Sequence, residues 1–556
     1  MDDPNDAARR LAASFWEETL DLEPLLGTKV GDERFDDKLG DPGPEGRARN
    51  EEVHRRAQMA ARQIDRTRLD EEARTSLAVI EAIASRQLAH LEHRLDRFDA
   101  VTHLFGPTQL LADFGSMQRA DTPERLDRYA TRLSRLPAYL DEVGTVASEA
   151  AEAGQTVPAL VVDRSIAQAE RLLATPPEAS PGVAPVPEHD EEGRRRVVEA
   201  LRELVWPAYE GYLDALRAYR PHARDTIGLY ALGNGDAIYA AEILSFTSLP
   251  LQPERVHELG LEDFAKIQDE RFEIARSLGF PDPDQAIAAR TAAGRNTAKS
   301  RQEFVKVAEE QVQRGWDAAP RYFGRLPQAN CEVRPVEEFR EDDVPGAFYQ
   351  PPSADNTRRG VYYINCSSLD QRFLHQTATT SYHEANPGHH FQISIEQEYS
   401  DRPAIRRFGG LLAGSAFAEG WGLYCERLAD EMGLFADEYE RLGMLEGQGL
   451  RACRLIVDSG IHALRWERER AVSQMMEAGA PRVDAEIEVD RYIAWPGQAL
   501  SYKIGQFEIE KLRAGAERRR DDRFDLKAFH DRVLELGQLP LPALQAEFEN
   551  GAGTSS

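Results

Sequence analysis

Apolar residues recur at steps of three and four through residues 7–25, 47–98, 122–152 and 192–220, in stretches rich in Ala, Leu, Arg and Glu. That period belongs to one face of an α-helix, and runs this long leave little chain for anything else. The proline-laden "TPPEASPGVAPVPEHDEEG" at 175–193 breaks the pattern as a loop. Helical spacing resumes over 253–278 and 296–315, and again from about Arg372 to about Arg518. Strand signals are confined to "CEVRPVEEF" (331–339) and "GVYYINCSS" (360–368), β-branched and aromatic, with the turn residues "PPSADN" between them. The expected fold is mainly α, a large helical body with a small β-sheet ahead of the last helical stretch. A chain of 556 residues could make several domains or one large enzyme with a deep cleft. We read a helical N-terminal half, 1–325, and a second half, 326–556, together forming one cleft and one folding unit.

A formal net charge of −28 excludes nucleic acid as a partner, because phosphate binding needs clustered Lys and Arg. It argues equally against an anionic membrane surface. Cys331, Cys366, Cys425 and Cys453 lie far apart, so neither a disulfide framework nor a cysteine zinc site is indicated. The acidic "MDDPNDAARRLAASFWEETL" has no apolar core of a signal peptide. The uncharged "FGGLLAGSAFA" is Gly-rich and is followed by Glu419, so it fails as a membrane span. A cytoplasmic protein, monomer or homodimer, is expected.

The chemistry concentrates in "SYHEANPGHHFQ", 381–392, which holds three of the thirteen histidines. A hydrolytic zinc site needs imidazole or carboxylate ligands, an open position for water, and a carboxylate base beside it. In H-E-x-x-H, helical spacing puts both histidines on one face while the glutamate reaches the water. Here His383 and Glu384 supply the first ligand and the base, and "ANPG" delays the second histidine. Pro387 cannot donate to the carbonyl of His383, so the helix must kink or bulge. With two residues extruded, His389 becomes the second ligand. With a helix that merely kinks, His390 returns to the same face after about two turns. Spacing leaves both open; one binds metal and the other faces substrate or a supporting partner.

Glu419 is the third candidate ligand, the only charged residue from Phe408 to Cys425. A carboxylate in an apolar helix is costly to bury unless a cation or metal accepts it. Each feature alone has a structural alternative. Glu419 could be half of an ion pair, and the His pair could open a helix capped by Asn386 with Pro387 at its first position. Together, on consecutive helices, they favour a metal site, and two His with one Glu and a nearby free Glu match zinc better than iron, calcium or magnesium.

"HEANPGHHFQ", "AFAEGWGLYCERL", "RACRLIVDSGIHA", "PGQALSYKIG" and the closing "FDLKAFHDRVLELGQLPLPAL", in that order, resemble the DUF885 family of bacterial proteins. The resemblance covers most of the chain. It implies a largely helical, HExxH-like zinc metallopeptidase of gluzincin type, with a zincin-like core around a cleft. It implies metal ligands at His383, at His389 or His390, and at Glu419, with Glu384 as catalytic base. It also implies that "GVYYINC" is an edge strand aligning an extended substrate by strand addition.

Around this core, Arg451, Arg454, Asp458 and His462 make one helical stripe. Arg454 with Asp458 reads as a buried bridge, with Arg454 also a substrate-binding candidate. His462 could steady an oxyanion or orient a ligand. In "WPGQALSYKIGQ", Tyr502 could donate to a tetrahedral intermediate, Lys503 could anchor a substrate carboxylate, and Gln498 could bind substrate. Tyr502 and Lys503 point about 100° apart and cannot face one atom. Arg358 or Arg359 could meet a substrate carboxylate.

The expected function is zinc-dependent hydrolysis of small peptides or amides. A non-haem iron oxygenase also uses two His and a carboxylate, but has no need of a base beside its first histidine. A non-catalytic helical metal-binding protein would close its site with four ligands, and only three can be named.

Overall fold

The computed structural model describes residues 3–336, 338, 341, 345–353, 359–520 and 523–551. It divides into two compact units. One holds residues 1–65, 83–241 and 490–496, the other 66–82, 242–489 and 497–556. The chain therefore passes between units five times, and the division does not follow the 325/326 boundary expected from composition. Helices dominate both units, as the periodicity implies. Among the described residues no helix is long and apolar enough to cross a membrane.

The first unit is built on α1 (Pro123–Ala153), α2 (Ala159–Ala174) and α3 (Trp206–Tyr219). Thr122 caps α1 by accepting from Arg125 N, and Pro123 sits where no N–H is needed. Tyr129, Leu133, Leu136, Leu140 and Val143 line its buried face at helical spacing. Buried among them, the Arg132 guanidinium donates to Lys38 O at 2.9 Å, Phe35 O at 2.6 Å and Gln118 Oε1 at 2.6 Å. Main-chain and amide acceptors thus carry a charge that burial would otherwise forbid. The run expected as one helix at 47–98 is broken. Pro44–Gln63 ends where Ile64 turns extended, and Asp70 accepts from Ala73 N at 2.8 Å to open Glu71–Glu92.

The second unit carries α4 (Pro253–Ser277), α5 (Arg301–Ala318), then β1 (Glu332–Pro335), β2 (Ala347–Gln350) and β3 (Val361–Ile364). It continues with α6 (Leu374–Glu384), α7 (His389–Glu398), α8 (Ala416–Glu431), α9 (Glu438–His462) and α10 (Ser501–Arg520). β3 is the central strand, parallel to β1 and antiparallel to β2. "GVYYINC" is therefore not an edge strand. Ladder bonds occupy both its sides, and an extended substrate has no place to add along it. Its side chains alternate as a strand requires. Tyr362 and Ile364 join Phe304, Ala308 and Val312 of α5, while Val361 and Tyr363 pack with Phe348 and Val336.

From Ala452 to His462 every residue of α9 is buried, so Arg454, Asp458 and His462 of its polar stripe lie inside the unit. α8 crosses α10 at a pair of glycines. A Cβ on Gly420 would stand 2.3 Å from Gly505 C, and one on Gly505 would stand 1.8 Å from Ala416 O. Glycine at both positions brings the backbones together, and α8 and α10 carry Glu419 and Tyr502.

Replacing Gly505 by Ala must separate these helices. We expect a loss of about 1–3 kcal/mol, read as a lower midpoint in urea unfolding followed by far-UV circular dichroism.

Candidate metal centre

His383 and Glu384 close the last turn of α6. At Ala385 the backbone leaves the helix (φ −109°, ψ −102°), and α7 begins at His389. Pro387 offers no N–H to continue the helix. Gly388 fits the reversal because a Cβ there would lie 1.9 Å from His383 O and 2.4 Å from Tyr382 O. The turn is held from outside. Trp421 Nε1 of α8 donates to Pro387 O at 3.0 Å, and Asn386 Nδ2 donates to Val312 O at 3.1 Å and Asn330 Oδ1 at 2.6 Å. A helix does start after "PG", but at His389, with the Asn386 side chain engaged elsewhere rather than capping it.

This reversal separates the two adjacent histidines. The His389 ring meets His383 edge-on, with centroids 4.7 Å apart and planes at 87°. His390 turns to the other side, its Nε2 2.8 Å from Ala329 O and its Nδ1 3.0 Å from the Tyr349 hydroxyl. Burial pushes the His390 imidazole down to about 4, so the ring is neutral near pH 7. Of the two candidates, His389 is the one placed to share an ion with His383.

Glu419 sits in the first turn of α8, and its Oε2 lies 3.6 Å from Nε2 of both His383 and His389. That is longer than a good N–H···O bond. It is close to the roughly 3.3 Å separating two ligands on one tetrahedral ion with bonds of about 2.0–2.1 Å. One turn on, a Cβ at Gly422 would lie 2.6 Å from His383 Cε1, so glycine lets the ring lie against the helix. Two turns on, Glu426 Oε1 stands 2.8 Å from His383 Nδ1. α8 thus addresses both nitrogens of one imidazole from one face, with Glu426 accepting from Nδ1 and Glu419 facing Nε2.

Burial disfavours an imidazolium at His383, yet Glu419, Glu426 and Glu384 together raise it to about 10. Burial likewise works against the Glu419 carboxylate, while His383 and His389 hold it well below the usual carboxylate range. Among the described residues His383, Glu384 and His389 form the group whose ligand atoms lie within 4.8 Å of one another. Mutual closeness thus selects Glu384, whereas equal distance to both Nε2 atoms selects Glu419. We take Glu419 as the ligand candidate because it bridges the pair, and Glu384 as the acid at the edge of the site. Two imidazoles and a carboxylate suit zinc.

The Tyr502 ring stacks near His383 with centroids 6.5 Å apart and planes at 24°. The Arg454 guanidinium lies over that ring, 4.4 Å from its centroid, and pairs with Glu488 at 2.9 Å. Tyr502 therefore stands beside the His383 imidazole, with Arg454 packed on Tyr502. Lys503 does not. Its ammonium is buried, 2.8 Å from Gln448 Oε1 and 2.9 Å from Asp263, so it is not available as an anchor for a substrate carboxylate. Both oxygens of Asp458 lie 3.1 Å from Gly497 N. Gln498 is buried in the short turn Gln498–Leu500. His462 is buried in the last turn of α9, about 12 Å of helix beyond Arg454. Arg359 is exposed, and Arg358 falls outside the described residues.

Sequence reasoning missed Glu426 and Gln448. The uncharged run was read from Phe408 to Cys425 and stopped one residue short of Glu426, whose seven-residue spacing from Glu419 was the available signal.

A family model described as "Bacterial protein of unknown function (DUF885)" matches residues 24–548. Two solved structures share the fold. One is "the putative lipoprotein from Colwellia psychrerythraea", with TM-score 0.92, 24% identity and 100% of both chains covered. The other is "a putative lipoprotein of unknown function from Shewanella oneidensis", with TM-score 0.75, 19% identity, and 97% of this chain and 99% of that one covered. No curated protein matches.

Two outcomes are expected from zinc titration. His389→Ala abolishes tight binding, whereas His390→Gln, which keeps a donor toward Ala329 O, binds as the wild type does. Below pH 10 the metal-free protein holds a proton on His383 that zinc must displace. Affinity measured by chelator competition should therefore rise about tenfold per pH unit from pH 7 toward that value.

Proposed function

The chain belongs to the DUF885 family of bacterial proteins, and from the centre it carries we propose that it is a zinc-dependent hydrolase cleaving peptide or amide bonds of small peptides. The observation that carries this reading is the single Glu419 oxygen 3.6 Å from both imidazole Nε2 atoms, with Glu384 adjoining. His383, His389 and Glu419 would hold the ion. In this reading the second unit contains a zincin-like core of gluzincin type opening on a substrate cleft.

When bound, zinc polarises the scissile carbonyl and brings the pKa of water toward neutrality. Glu384 is the general base. It follows a ligand directly in sequence and is only half-buried, so it can take a proton from the attacking water. The water oxygen bonds to the carbonyl carbon, the C–N bond breaks, and Glu384 returns the proton to the leaving amine. The Tyr502 hydroxyl is assigned to the developing oxyanion, and Arg454, packed on the Tyr502 ring, to the substrate's polar groups. Glu426 holds the His383 ring in place throughout. His462 and Gln498, both buried, are assigned supporting roles.

Glu384 also separates this reading from an iron oxygenase, which has no use for a base at that position. The lipoprotein wording of two structural relatives favours the cell envelope over the cytoplasmic setting expected above. Fractionation of cells producing the full-length protein separates the two.

Glu384→Gln should retain zinc and lose about 10²–10⁴-fold in turnover, measured on a mixed peptide library with a chelator control. Wild-type protein that holds iron rather than zinc, or a variant as active as the wild type, defeats the proposal.

A further inference from the structure

The proposal above leaves unexplained a buried lysine and a buried glutamine lying behind the centre. Lys503 Nζ is 2.8 Å from Gln448 Oε1 and 2.9 Å from Asp263 Oδ2, with its side chain 1% exposed. Gln448 Nε2 lies 2.9 Å from Glu426 Oε2 and 3.2 Å from Leu423 O. Glu426 Oε1 lies 2.8 Å from His383 Nδ1. These contacts make one chain of hydrogen bonds running from α10 through α9 and α8 to the first ligand on α6.

The direction of every bond in that chain follows from its far end. An ammonium only donates, so the Gln448 atom facing it is the carbonyl oxygen. The amide nitrogen must then face Glu426 and Leu423 O, both acceptors, which satisfies its two hydrogens. Reversing the amide would set donor against donor at Lys503 and acceptor against acceptors at α8. With Oε2 of Glu426 tied to Gln448, the carboxylate cannot rotate, and Oε1 stays aligned on Nδ1. The imidazole is then held with Nδ1 toward Glu426 and Nε2 toward Glu419, so that on metal binding Nε2 is the nitrogen whose proton gives way to the ion.

Resting on the reading of the site as a metal centre, we propose that Lys503 and Gln448 are positioning residues that hold His383 in its ligating orientation through Glu426. The lysine read from sequence as facing substrate works from behind the site instead.

The test uses full-length protein and zinc alone. Lys503→Met should weaken zinc binding about tenfold or more by chelator competition. It should also broaden the low-field Nδ1 proton signal of His383 in ¹⁵N-histidine spectra of the zinc-loaded protein. Lys503→Arg, still a donor, restores both. The double variant Asp263→Asn/Lys503→Met leaves no unpaired acid and should behave as Lys503→Met does, guarding against a folding defect. Arg532→Met, which removes an ion pair with Glu71 elsewhere in the unit, should change neither readout. Lysine variants that bind zinc as tightly as the wild type with the signal intact overturn the relay and leave the metal centre standing. Wild-type protein that binds no zinc overturns both.

Discussion

A carboxylate set into an apolar helix must be answered by positive charge or by an ion, and at Glu419 the answer comes from two imidazoles on neighbouring helices. Much of the second unit serves that encounter. The reversal at Ala385–Gly388 brings His389 beside His383. Gly422 lets the His383 ring lie on α8, and Glu426 on the same face takes its other nitrogen. The α8–α10 crossing at Gly420 and Gly505 then brings Tyr502 into a stacked position near the same ring. Each is a close approach of main chain or ring that a larger residue would block.

The helical body was legible because periodicity survives in sequence whatever the helices pack against. The break at Ile64–Asp70 was not, since "IDRTRLD" carries no Gly or Pro, and only the Asp70 side chain marks the new start. β2 escaped notice as four half-buried residues without alternation, so nothing in the sequence opposed the edge position that the resemblance implied for β3. The choice between His389 and His390 lay beyond spacing, because it depends on whether the helix ends or bends at Pro387. That outcome is decided by contacts from Trp421, Val312 and Asn330, far off in sequence. Lys503 was misdirected for a related reason. Its 100° offset from Tyr502 was correct, but which of the two faces the site depends on how α10 is rotated against α8.

At 24% and 19% identity, two solved structures keep this fold over essentially the whole chain. Conserved architecture at that distance reflects packing, and a fold shared so broadly does not itself dictate chemistry. The functional argument rests on side chains whose distances and partners are particular, above all the two acids of α8 and the ring they enclose.

The tight turn at Gly388 also bears on ionic size. Both histidines are attached to backbone already in contact, with no room even for a methyl group between Gly388 and the carbonyl of His383. The main chain therefore fixes how closely the two residues' backbones approach. A large ion such as calcium, whose bonds run to about 2.3–2.6 Å and whose usual ligands are oxygens, would fit two such imidazoles less well than zinc. In the proposed centre such a backbone would favour small, imidazole-binding cations over larger ones.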